Sequence, residues 1–310
     1  MLSTANKTAI AVAMIILGFV AAFALSGFVE RQRPPLPAGY EDEDLALQGR
    51  QMKGFVFGAE GLVADWYWMN SLQYFGKKIT AVGLENLNLD DMSALNPRLL
   101  YPYLNNATDL DPHFIAPYSY GATILPAIDT EQAIALTEKG IASNPNEWRL
   151  HQYLGYIYWR RGNYDRASEI YEEGSRVPRA PLFFKQMAAR MKVEGGNRSV
   201  ARDMYKQLLA ESQDDVSKKN IELRLMQIDS LDERDLINPV LKIFAERNGR
   251  CATRWQEILP LLSNARLPNG AALRIDQEDQ LVDPSGVPYR LDTSKCEAVT
   301  DWPRSKIPIA

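Results

Sequence analysis

Residues 154–174 read LGYIYWRRGNYDRASEIYEEG, and the fold turns on whether this is one helical hairpin or one copy of a repeat. Repeat architectures realign small and aromatic residues at a fixed offset, so sliding the chain against itself tests recurrence. An offset of 34 places Gly162-Asn163 on Gly196-Asn197, Ala167 on Ala201 and Tyr171 on Tyr205, with Tyr164 on Arg198 as the poor match. In the other direction Trp148 falls on Phe114, Gly155 on Gly121, Ala167 on Ala133 and Gly174 on Gly140. Three units, beginning near Phe114, Trp148 and Leu182, therefore share a register. Gly155 and Ala167 are expected to let two helices approach closely, while the large residues fill the space between neighbouring hairpins. One hairpin cannot bury its apolar face alone, so the units must stack.

With Trp148, Leu154, Gly155, Tyr158, Ala167, Tyr171 and Gly174, the middle unit resembles the tetratricopeptide repeat family. The flanking units depart from the pattern: Ala188-Ala189 stands where Leu-Gly is expected, and Ile124 and Lys192 replace the tyrosine. The resemblance implies an α-solenoid whose concave groove is lined by the first helix of each unit. The matching positions are Arg149, Gln152, Tyr156, Trp159 and Arg160 in the middle unit, and Phe183, Gln186 and Arg190 in the next. An aromatic, basic lining suits an extended protein segment carrying carboxylates, with guanidinium forks pairing the acids and rings covering apolar side chains. A competing reading leaves Arg149, Arg160 and Arg190 solvated or paired with Glu147 and Glu194, and places Tyr156 and Trp159 in the core between units.

Upstream, TAIAVAMIILGFVAAFALSGFV (Thr8–Val29) is uncharged and apolar, about the 20 residues that a bilayer core requires. Ala24-Leu25-Ser26 offers a signal-peptidase alternative, but the run exceeds the usual 7–15-residue signal core, which favours a retained transmembrane anchor. Lys7 before the run is balanced by Arg31 and Arg33 after it, so charge alone does not orient the span. A short tail followed by one large domain has the form of a signal anchor at the inner (cytoplasmic) membrane, with the body on the periplasmic side. Pro34, Pro35 and Pro37 then predict an extended spacer, followed by the acidic run 41–44.

The segment GLVADWYWMNSLQYFGKK (residues 61–78) reads as a helix ending at Gly76, with Leu62, Trp66, Met69, Leu72 and Tyr74 near one side. Its ADWYW…QYFG opening resembles those of membrane-anchored bacterial repeat proteins. It is either a capping helix for the solenoid or a docking surface built on Trp66, Tyr67, Trp68 and Tyr74. Leu99–Asp111 reads as a further helix closed by Asp-Pro.

The character changes near Leu236. Two helices joined at Asn248-Gly249 precede turns at Pro268-Asn269-Gly270 and at Asp283–Tyr289, set between short alternating runs that signal hairpins. Phe244, Asn248, Gly249, Arg250, Asp283, Pro284, Gly286, Pro288 and Tyr289 give this tail a resemblance to the soluble ends of pseudopilins and type IV pilins, which implies a structural subunit. The prepilin start is missing. Cys251 and Cys296, with no CxxC and no nearby histidine, suit a disulfide in an oxidising compartment better than a metal site; two unrelated thiols are the alternative.

The chain of 310 residues has 46% hydrophobic content and a net charge of −4, an ordinary globular composition without the strongly basic face that nucleic acid calls for. There is no phosphate loop, no HExxH and no GxSxG, and the carboxylate pairs Asp90-Asp91, Glu172-Glu173 and Asp214-Asp215 sit on polar stretches. The expected architecture is mainly α: an anchor over 1–30, a linker over 31–60, a tetratricopeptide-like solenoid over 61–235 and a small α+β cap over 236–310. The expected function is that of a non-enzymatic scaffold or accessory subunit, without cofactor, binding protein partners in an envelope complex. A cell-wall or polysaccharide-processing enzyme is the competing class.

Overall fold

The computed structural model describes residues 4–32, 42 and 48–308, with the side chains of 4–13, 30 and 32 outside that description. The protein is mainly helical, with a two-stranded sheet near its C-terminal end. It divides into two units between residues 46 and 47. The proline spacer and acidic run expected over 34–44 lie, apart from Asp42, outside the described residues.

The first unit carries helix α1, Thr4–Gln32. From Met14 to Val29 its large apolar side chains are exposed at successive positions around the helix, Phe19, Phe23 and Phe28 among them. Among the described residues no helix is long and apolar enough to cross a membrane; the expected span Thr8–Val29 begins where side chains are not described.

The second unit opens with the short helix α2, Gly49–Met52, and α3, Glu60–Val82. Helix α3 does not stop at Gly76, as its sequence suggested. Gly76 keeps helical backbone, and the chain turns at Gly83, whose φ of 85° favours glycine. Beyond it lie α4 (Leu100–Leu110), α5 (Ile115–Ile124), α6 (Thr130–Ser143), α7 (Trp148–Arg160), α8 (Tyr164–Ser175), α9 (Phe183–Glu194) and α10 (Arg198–Glu211). From α4 onward each helix packs on the next. Lys139 of α6 donates to the Asn105 carbonyl and side chain, to Thr108 and to Asp109 (2.7 Å). Asp109 also meets Arg50, and the Gly49 N–H donates to Asn106 Oδ1 at 2.9 Å, so α2 is fastened to the α4–α6 body.

The register is physical. The second helices α6, α8 and α10 begin at Thr130, Tyr164 and Arg198, 34 residues apart each time. Helix α7 ends with the Gly162 N–H donating to the Trp159 carbonyl and the Asn163 N–H to that of Tyr158. Helix α9 ends the same way 34 residues on, with Gly196 to Val193 and Asn197 to Lys192. Each glycine has a positive φ, 72° and 80°, which this paired C-terminal bond pattern takes up. Ala133, Ala167 and Ala201 are fully buried. A Cβ at Gly155 would stand 2.8 Å from the Tyr171 ring, one at Gly140 2.8 Å from Tyr118, and one at Gly174 would collide with Phe184.

Helix α11, Asp215–Asn248, runs unbroken through the expected boundary at 235/236 and ends at Gly249 in left-handed conformation. Its first half packs on α10 through Ile221 and Ile228. Its second half carries the cap core, in which Ile237 and Leu241 meet Trp255, Ile258, Leu281 and Tyr289. The cap contains α12, Leu259–Leu262, and the antiparallel pair β1 (Arg290–Asp292) and β2 (Glu297–Val299), with Leu291 opposite Ala298. Cys251 and Cys296 are bonded, their Cα atoms 5.4 Å apart, tying the end of α11 to the β1–β2 turn.

Two outcomes check these contacts. Gly155→Leu should lower stability by about 1–3 kcal/mol through overpacking against Tyr171, whereas Gly76→Ala, with open space around it, should raise it by up to about 1 kcal/mol; thermal melting of both variants decides. The disulfide closes a 45-residue separation, so removing both cysteines as serines should cost about 4 kcal/mol on the chain-entropy model, and non-reducing digestion should yield the linked peptide pair.

Candidate functional site

Spacings of three, four and three residues put Arg149, Gln152, Tyr156 and Trp159 on one side of α7, and Phe183, Gln186 and Arg190 share a side of α9 in the same way. The two rows meet at Trp159. Tyr156, 45% exposed, stands edge-on to the Trp159 ring at 5.5 Å, and the Arg190 guanidinium lies over that ring, also at 5.5 Å. Arg149 stacks on Trp148 at 4.4 Å and pairs with Glu147 at 3.2 Å. Arg190 pairs with Glu194 at 3.3 Å, and Arg160 with Asp90 at 2.9 Å. Phe183 leans on Tyr171 and Phe184 and is half-buried. The structure thus joins features of both sequence readings: the cations have local carboxylate partners, while Tyr156 and Arg160 remain open to solvent. Ion pairs this exposed contribute about 0–1 kcal/mol, so a partner's carboxylate can take over a guanidinium at little cost.

Arg190 continues the row into a pocket of about 270 Å³ between α9, α10 and α11, lined also by Phe183, Gln186, Met187, Tyr205, Arg224 and Pro308. Tyr205 donates to the Gln186 carbonyl at 3.3 Å. Burial pushes its hydroxyl up to about 12, while the Arg224 and Arg190 guanidiniums pull it down, so two cations flank a neutral phenol. The repeat register gives Tyr205 as the counterpart of Tyr171 and not as a groove residue, and it singles out neither Arg224 nor Pro308. Arg224 comes from α11 and Pro308 from the C-terminal segment, and no spacing in the sequence links either of them to α9.

The aromatic helix α3 resolves differently. Tyr67 and Tyr74 are 6% and 7% exposed and pack on Tyr103. Trp68 meets Tyr120 at 5.3 Å and Phe114 at 6.1 Å. Of the four residues named for docking, Trp66 faces out, and with Leu62 and Met69 it forms an exposed apolar stripe at positions i, i+4 and i+7. Phe55 and Phe57, just before the helix, are exposed as well.

One carboxylate stands apart for the enzyme reading. Glu233 is fully buried, and burial raises its pKa against the opposing pull of Tyr289 and Arg274. Tyr289 donates to Glu233 at 2.7 Å, its hydroxyl oxygen lies 2.9 Å from Ser230 Oγ, and Arg274 pairs with Glu233 on its other oxygen. Both oxygens are taken up inside the junction of α11 and the cap, which is the geometry of a fastening. Among the described residues no group of three or more His, Cys, Asp or Glu side chains is placed to hold a metal ion. Comparison of the chain with protein-family models and with curated proteins finds no match.

His151 lies on the buried side of the same α7, with its Cβ near Gly174. Burial lowers its pKa, against a weaker raising pull from Glu173 and the Glu147 backbone. The unfolded chain therefore binds the proton more readily, so this contribution to stability is whole above pH about 6.5 and is lost as pH falls through the folded-state value. Between pH 7.5 and 5 the melting temperature of the wild type should fall more steeply than that of His151→Met; parallel curves would show that His151 titrates normally.

Proposed function

We propose that the chain is a single-pass, membrane-anchored scaffold of tetratricopeptide type, its body outside the cytoplasm, which holds an extended acidic segment of a protein partner within a membrane complex. The observation that carries this reading is the row Tyr156–Trp159–Arg190, which crosses from α7 to α9 with an exposed phenol, a half-buried indole and a stacked guanidinium. Rings fixed by neighbouring packing lose little freedom on binding, and guanidiniums already oriented by stacking present their forks to a carboxylate.

The 34-residue recurrence of helix starts, helix-ending turns and buried small residues supports the repeat family as the source of the groove. Helix α1 is apolar on every side over its described side chains, and such a helix belongs in a protein interior or a bilayer. The Cys251–Cys296 bond is compatible with an oxidising compartment.

The test is a photo-crosslinker placed at Tyr156 in the full chain in its native membrane, compared with one at the exposed Glu169 of α8. The expected result is one stoichiometric adduct from position 156 and none from 169, reduced about tenfold or more by Arg160→Glu with Arg190→Glu, equivalent to at least about 1.4 kcal/mol. Equal labelling from both positions, or labelling indifferent to the charge reversals, would overturn the groove reading.

A further inference from the structure

The pocket beside Arg190 has the C-terminal segment of its own chain as part of its wall. The C-terminal segment leaves the cap and is clamped at Ser305, whose hydroxyl donates to Asp283 Oδ2 at 2.5 Å and lies 3.3 Å from Ser285 Oγ. Asp283 is itself buried and holds the 283–287 turn through Ser285 N, Ser285 Oγ and Val287 N. From that clamp the Lys306 N–H donates to Ser285 Oγ, the Ile307 N–H donates to Ser305 Oγ, and Ile307 is 4% exposed. Pro308 then lines the pocket formed by Phe183, Met187, Tyr205 and Arg224.

Proline suits that position. It brings no N–H to be left unpaired against apolar walls, and its fixed φ reduces the freedom lost on docking. Aromatic-lined grooves take proline-containing extended segments for the same reasons.

We propose that Pro308, held in place by the Ser305 clamp, is a ligand in cis at one edge of the α9–α11 pocket, which it narrows until an extended partner segment bearing a proline displaces it. A segment tethered three residues from a fixed clamp competes at an effective concentration in about the millimolar range. A partner must therefore supply both a proline for the pocket and contacts along the Tyr156–Trp159 row. The occupancy stands independently of the scaffold reading; only the displacement by a partner rests on it.

The experiment uses the purified full chain and a fluorescent, amidated peptide of residues 301–308, with no partner present, so a groove without a natural partner does not affect its outcome. In Pro308→Lys, a change at a half-buried position near the chain end, Arg190 and Arg224 repel the new cation, the pocket edge is freed, and the peptide should bind at least about tenfold more tightly than to the wild type, whose competent fraction is reduced by its own segment. Asn220→Trp, an exposed pocket-wall position, added to Pro308→Lys should abolish that binding at an unchanged melting temperature. Equal affinity for wild type and Pro308→Lys, binding to neither at millimolar peptide, or binding that survives Asn220→Trp would each overturn the proposal.

Discussion

Everything in the helical body depends on close approach at a few positions without bulk. Gly155 faces Tyr171, Gly140 faces Tyr118, and Gly174 faces Phe184 and His151, each with no room for a further carbon. Ala133, Ala167 and Ala201 repeat the constraint on the second helices. Where backbones come this near, large residues must occupy fixed neighbouring sites, because interiors pack to near-crystalline density. Phe184 therefore lies against Trp148 at 5.8 Å and against Tyr171 at 5.9 Å. The same packing sets the direction in which the opposite sides of α7 and α9 point, and so places the Tyr156–Trp159–Arg190 row.

Helix α11 extends that constraint into the cap. Its first half is the last layer of the helical array and its second half is the platform for the cap, so no flexible joint separates them. Polar contacts enforce the match: Arg202 pairs with Asp229 and Asp232, Arg198 with Asp232 and Asp235, and Glu233 with Arg274 and Tyr289. Buried charges of this kind need every partner in place, which favours one arrangement over near alternatives. Together with the disulfide, they hold the cap so that its terminal segment reaches back to α9 and the start of α11.

The helix sides that carry the Tyr156–Trp159–Arg190 row were partly legible in the sequence. Arg149, Tyr156, Arg160, Phe183, Gln186 and Arg190 come from the resemblance to the tetratricopeptide repeat, which carries positions over within one unit or between equivalent units. It does not report what covers a face. Tyr67 and Tyr74 looked like Trp66 in sequence, yet Tyr103 of α4 buries the first two and leaves the third in solvent. Gly76 looked like a stop signal, but a helix interior tolerates glycine at a cost of about 1 kcal/mol when packing continues on both sides.

By itself the sequence determined the helical hairpins, their 34-residue register, the small residues at their contacts and the cysteine pair, because each is a local pattern or a recurrence at fixed spacing. Only the tertiary structure decided that α11 serves two cores, that Glu233 is a sealed fastening and that Pro308 lines the pocket with Phe183 and Arg224. Those contacts join residues far apart in the chain and unrelated by the repeat, so they leave no period to read; they exist because a rigid cap carries its last residues to one place in space.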